Sequence, residues 1–298
     1  GLGRRSSRRG FDRLVRGRTR SRGRRSGVTR LEALPCLHER GGSTWQRWMV
    51  GTTALTNLSR FDCPTSLVVP AELREISTSA GGQTDLVHID TDSVTYRAAR
   101  GIGFTCAVTA TEIKVLNTSV LPFSALRAIA PGRDSLLLFV DGDPDTRTDD
   151  AWVRLPVSSV ATSTCGSEAA IAVTLPSFIN SLPDSQLSSV RVGGPVRTEE
   201  VMRLKSYTAD GQEWVGAASI SGGDAVQPIL GPIAPGGFAL SYLTGDGTAT
   251  TVLANVRVIG ITVIGLTERA VAQGGNTGAN VILQDTLVTR VLLRNAPR

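Results

Sequence analysis

From residue 85 onward, apolar and polar positions alternate in short runs separated by turn residues. The runs DLVHI (85–89), SVTYRAA (93–99), FTCAVT (104–109) and EIKVLN (112–117) are rich in β-branched or aromatic residues and predict strands. DSLLLFVDGD (134–143) reads as a fully apolar strand running into an acidic turn, followed by strands at AWVRLPV (151–157) and AAIAVTL (169–175). The stretch 199–219 predicts a hairpin about Ala209-Asp210-Gly211, and 237–250 a second about Gly245-Asp246-Gly247. NVRVIGITVIGLTE (255–268) and DTLVTRVLLRN (285–295) predict the last strands, and glycines at GIGF (101–104) and GGPVRTEE (193–200) predict turns between strands. With no long helical period after residue 76, the expected body is an antiparallel, β-rich domain.

Upstream the pattern differs. Leu67, Glu72, Leu73 and Ile76 suggest a short helix, which Pro70 permits only near its first turn. Residues 31–66 show no period at all, and residues 1–30 are low-complexity Arg, Gly and Ser that would not fold alone. The length of 298 residues allows one or two domains.

Charge sharpens this division. The first thirty residues hold twelve arginines against the single acid Asp12, or +11, so the overall +6 leaves −5 for the rest. Only Lys114 and Lys205 are lysines, a bias that fits nucleotide composition better than selection for phosphate contacts. Cys36, Cys63, Cys106 and Cys165 form no CxxC, so zinc is not expected. Cys106 and Cys165 lie in or beside strand-like runs and suit either one disulfide or two buried thiols. No window of about eighteen apolar residues exists to cross a membrane as a helix.

The chemistry on offer is sparse. Asp141, Asp143 and Asp145 have the alternating spacing that opens a calcium loop. Thr146 stands where the tight-turn glycine belongs and Trp152 where the bidentate glutamate belongs, so a solvated acidic connection is the better reading and Ca2+ the lesser one. Glu199 and Glu200 are adjacent in a strand, point to opposite faces and cannot share a proton directly. There is no GxSxG, no phosphate-binding glycine loop, and no motif around His38 or His88. No catalytic activity is expected.

RRSGVTRLEAL (24–34) resembles the signal of type IV prepilins and type II secretion pseudopilins. In that family a basic leader ends in Gly, the peptidase cuts after it, and a Glu stands fifth in the mature chain. The resemblance implies Gly27 as the last leader residue, Val28 as the new N-terminus and Glu32 as the assembly carboxylate. Arg30 departs from the family, which has an apolar residue there. LVVPAELREI with DSVTYRAARGIGFTCAV, the VRTEEVMRLKSY hairpin, ILGPIAPGGFALSYLTGDG and VRVIGITVIGLTE look like PilW-type minor pilins over about residues 67–296. After Leu34 the family continues with an apolar helix of about five turns, whereas this chain reads PCLHERGGSTWQRWMV. A shift of reading frame across 35–66 would account for that break.

The resemblance implies a α+β, β-rich fold, with a pilin-like N-terminal helix, short or damaged here, on an antiparallel sheet domain with hairpin insertions. The expected organisation is a leader over 1–27, a degenerate helix region over 28–66 and a globular domain over 67–298. It further implies a structural subunit of a type IV pilus or secretion filament, in the bacterial inner membrane and periplasm. Its expected partners are other pilins or pseudopilins, the prepilin peptidase, the assembly platform and the inner membrane, with Cys106–Cys165 as a structural disulfide and no resident cofactor. The alternative is a coat-like β domain whose Arg-rich arm binds nucleic acid.

Overall fold

The computed structural model describes residues 73–78, 84–143, 145–146, 150–182, 186–272 and 280–294. Gly27, Val28, Glu32 and the whole of 28–66 lie outside the described residues, as do 67–72 of the expected helix. Of that helix, Leu73 and Arg74 are helical, and Leu73 and Ile76 are buried.

The first strands are β1 (Leu86–Ile89), β2 (Ser93–Val108), β3 (Glu112–Leu116), β4 (Ser124–Ala125), β5 (Asp134–Val140), β6 (Ala151–Pro156), β7 (Ser159–Cys165) and β8 (Glu168–Thr174). They continue with β9 (Pro195–Ala209), β10 (Gln212–Ser219), β11 (Gln227–Leu243), β12 (Val258–Leu266), β13 (Val271–Ala272), β14 (Asn280–Val281) and β15 (Gln284–Leu292). Thirteen of them form one antiparallel sheet whose main path runs β15-β12-β11-β10-β9-β2-β3-β8-β7, while β13 and β14 pair with each other. β1 and β4 add to β2, and β5 pairs with both β6 and β9.

Two long strands organise the rest. β2 and β9 are paired from Ser93↔Lys205 to Phe104↔Pro195. One apolar core gathers on the first half of β2 and the second half of β9, with Val94, Tyr96, Leu204, Val215, Leu240, Ile259 and the buried Leu73 and Ile76. A second gathers at the other end, with Val196, Ile113, Val115, Leu136, Leu138, Val173 and Phe178. The sheet curls over the first core: the Leu240 N–H donates to the Thr91 carbonyl at 2.6 Å, and the Tyr242 hydroxyl reaches the carbonyls of Asp90 and Ser93.

Three expectations change in the structure. The glycines of GIGF do not turn the chain; 93–99 and 104–109 are one strand, with a bulge between Ala99 and Gly101. Glycine is needed there for space, because a Cβ on Gly101 would lie 2.5 Å from Cζ of Phe123, and one on Gly103 would meet Val115 at 2.6 Å. β11 begins at Gln227, through Pro228, Pro232 and Pro235, which single-strand patterning excludes. The strand pairs with β10 over 227–233 and with β12 at Ile233 and from 238 onward; Pro232 and Pro235 flank the residue where the two ladders meet, while Pro228 stands opposite Gly216 of β10. The second predicted hairpin keeps its turn, but its return leg pairs only at Leu243↔Ala249. The first hairpin stands, with Asp210 and Gly211 at φ 52° and 74° forming the two-residue turn between paired Ala209 and Gln212.

Candidate functional site

Between the two cores, β2 and β9 carry charge instead of apolar side chains. The sequence around this waist is YRAARG on one strand and TEEV on the other, with Ala99 opposite Glu199 and Ala98 opposite Glu200. Strand alternation sends Glu199 and Glu200 to opposite faces, and both are buried. A buried carboxylate is tolerated only when paired and hydrogen-bonded, and each has its own guanidinium cluster.

On one face Glu200 accepts hydrogen bonds from Arg100 Nε at 2.7 Å, from Arg127 Nη2 at 3.0 Å and from Arg133 Nε. Arg100 reaches it because it is the extra residue of the β2 bulge. Arg127 also forks onto Asp134, at 2.7 and 2.6 Å, and Arg133 continues to Asp224 at 2.7 Å. Burial alone would raise the Glu200 carboxyl; the Ser219 hydroxyl and the three guanidiniums outweigh it and hold the carboxyl down at about 2. The Asp134 hydrogen bonds likewise raise Arg127, so Glu200 and Arg127 stay ionised throughout the physiological range.

The opposite face sets two guanidiniums against two carboxylates. Arg154 Nε donates to Glu199, its Nη2 lies 3.2 Å from Asp85 Oδ1, and Arg97 stands 3.8 Å from Glu199. The other oxygen of Asp85 accepts the Ser77 N–H at 2.8 Å, which ties the segment after the short helix to the waist. Burial pushes the Asp85 carboxyl up to about 6, Glu199 adds to the rise, and the Ser77 N–H, Arg154 and Arg97 only partly oppose it. Beside this cluster lies an open cavity of about 270 Å³, lined by Glu75, Arg97, Ile102, Leu137, Arg197 and Glu199 among others. Arg197 stacks over Trp152 at 5.5 Å, and Trp152 meets Phe139 edge-on at 5.4 Å.

Glu200 is held ionised by donors on every side and has no proton to give, so its geometry is that of a lock between strands β2, β5 and β9. The waist was unreadable from the sequence except as two polar pairs interrupting apolar strands. Register alone brings Arg97 and Arg100 to Glu199 and Glu200, about a hundred residues away.

The other candidate residues fall elsewhere. Cys106 of β2 and Cys165 at the end of β7 are bonded, with Cα atoms 6.2 Å apart, and no described cysteine is free. Because β3 and β8 separate these strands in the sheet, the β7–β8 turn must fold back over β3, where Lys114 donates to the Thr164 carbonyl at 3.3 Å. Asp141 lies 3.5 Å from Arg191, while Asp143 accepts from the Asp145 N–H and the Thr146 hydroxyl. Among the described residues no three His, Cys, Asp or Glu side chains gather as metal ligands. Comparison with protein families, characterised proteins and solved structures gives no match.

Proposed function

We propose that the protein is a structural, PilW-like minor pilin or pseudopilin of a type IV pilus or type II secretion filament, without catalytic activity. The observation that carries this reading is the junction SGVTRLEAL at 26–34, with Gly27 before the cut, Val28 after it and Glu32 fifth. An antiparallel body entered through the short helical turn at Leu73–Arg74 suits it, since a pilin helix hands over to its sheet in this way. A stapled body with ion pairs closed upon themselves also suits a subunit that must keep its shape outside the cell. Prepilin peptidase would remove the basic leader, and the subunit would join other pilins at the filament tip through the assembly platform. The test is co-expression of the full chain with a prepilin peptidase and a cleavable control pilin. A mature N-terminus at Val28, abolished by Gly27→Leu, is expected; an intact chain beside a processed control overturns the reading. Resequencing the gene decides the break after Leu34: a single-base shift should restore an apolar run across 35–66.

A coat-like protein with a nucleic-acid arm is the second reading, favoured by the twelve arginines of residues 1–30. It requires binding that falls steeply with salt and disappears when the arm is removed.

A further inference from the structure

The main path of the sheet ends in two edge strands, β7 and β15, and they differ in kind. β7 reads SVATSTC, a polar strand with small side chains, and its end is stapled. β15 is nine residues long, carries Val288 and Leu292 each 65% exposed, and is preceded by exposed Ile282 and Leu283. Among the described residues it pairs on one side only, with β12. An edge of this length without proline or lysine is a template for another strand.

The backbone fixes which groups are on offer. The Leu293 N–H donates to Arg257 and the Leu283 carbonyl accepts from Thr267, so odd-numbered residues turn their N–H and C=O toward β12. The N–H and C=O of Gln284, Thr286, Val288, Arg290 and Leu292 therefore point outward.

We propose that β15 pairs antiparallel with β15 of a second copy about a two-fold axis at Leu287, joining two sheets into one. A two-fold normal to the sheet keeps residues of like parity opposite one another, which limits the choice of centre. Centred on Leu287, Gln284 faces Arg290 of the second copy, Asp285 faces Thr289, and Thr286 faces Val288. Leu283 then faces Val291, Ile282 faces Leu292, and Leu287 meets itself. No like charges oppose, and each charged side chain meets a polar partner able to hydrogen-bond it. Moving the centre to 286 sets Asp285 against Leu287 and Arg290 against Ile282; moving it to 288 sets Asp285 against Val291 and Gln284 against Leu292. A centre at 289 opposes Arg290 to Val288 and Asp285 to Leu293. One strand edge is a small interface, so the association is reversible and concentration-dependent. The proposal is independent of the filament reading.

Sedimentation of the full chain over a concentration series up to millimolar should show a monomer–dimer equilibrium. Val288→Lys should weaken it roughly tenfold or more by placing a charge on the open edge, while Val192→Lys, at another exposed site, leaves it unchanged. Under mild oxidation Leu287→Cys should cross-link to itself, because residues at a non-hydrogen-bonded pair lie within disulfide reach. Peptide mass spectrometry separates that bond from any formed through Cys36 or Cys63. A chain monomeric throughout, a dimer indifferent to Val288→Lys, or cross-linking by Thr289→Cys in place of Leu287→Cys overturns the proposal.

Discussion

Asp85 and Glu200 are both paired with arginine, yet their surroundings shift them in opposite directions. Glu200 is held at about 2, so the unfolded chain takes up its proton first as the pH falls. Its stabilisation is complete above about 4.5 and is lost as the pH drops through 2. Asp85 is raised to about 6, so the folded chain holds the proton longer; this contribution is complete below 3.8 and lost as the pH rises through 6. The thermal midpoint followed against pH should therefore climb from pH 2, peak near the overlap and decline toward 6, each limb worth at most about 3 kcal/mol. Asp85→Asn should remove the decline on the alkaline side. Glu200→Gln should cost about 3–5 kcal/mol at neutral pH, because three guanidiniums lose their shared carboxylate. Little of this could be foreseen from residue identity. The sequence placed two acids on opposite faces of a strand, but burial and the arginine partners come from register.

At the scale of elements, strand existence was legible wherever apolar residues were dense, as in Asp134–Val140 and Val258–Leu266. β7 was not, since a run of Ser, Ala and Thr has turn composition; it is a strand because β8 supplies a ladder from Ser159↔Thr174 to Cys165↔Glu168. Continuity of β2 was also hidden, because two glycines look like punctuation until Phe123 is seen packed against them. The Cys106–Cys165 bond crosses 59 residues and holds this polar hairpin to the central ribbon. Replacing both cysteines by serine should lower stability by about 2–4 kcal/mol, read from urea unfolding. The loss should be reproduced by reducing the native protein, and a midpoint unmoved by reductant would refute it.

For the whole molecule, the decisive feature is that two cores share one pair of long strands, with ion pairs where the cores meet. The last turn before the sheet is part of the first core, since Leu73 and Ile76 are buried against it. Arg294 closes over this turn, its N–H donating to the Arg74 carbonyl at 2.8 Å and its guanidinium reaching Glu75. Leu73→Ala should cost about 2–5 kcal/mol in a denaturant titration, whereas Arg294→Ala, at an exposed pair, should cost no more than about 1 kcal/mol.

The amino-acid pattern by itself determined the antiparallel, β-rich class, most of the strands and the Asp210-Gly211 hairpin, because period-two alternation and turn residues act locally. It also carried the concentration of arginine in residues 1–30 and the residues on which the proposed junction at Gly27 rests, which are matters of composition and spacing. Tertiary structure alone decided the pairing of β2 with β9, the meeting of Arg100 and Arg127 with Glu200, and, among the described residues, the one-sided pairing of β15. Those depend on which distant strands share hydrogen bonds, and a long-range register leaves no local mark on the residues it joins.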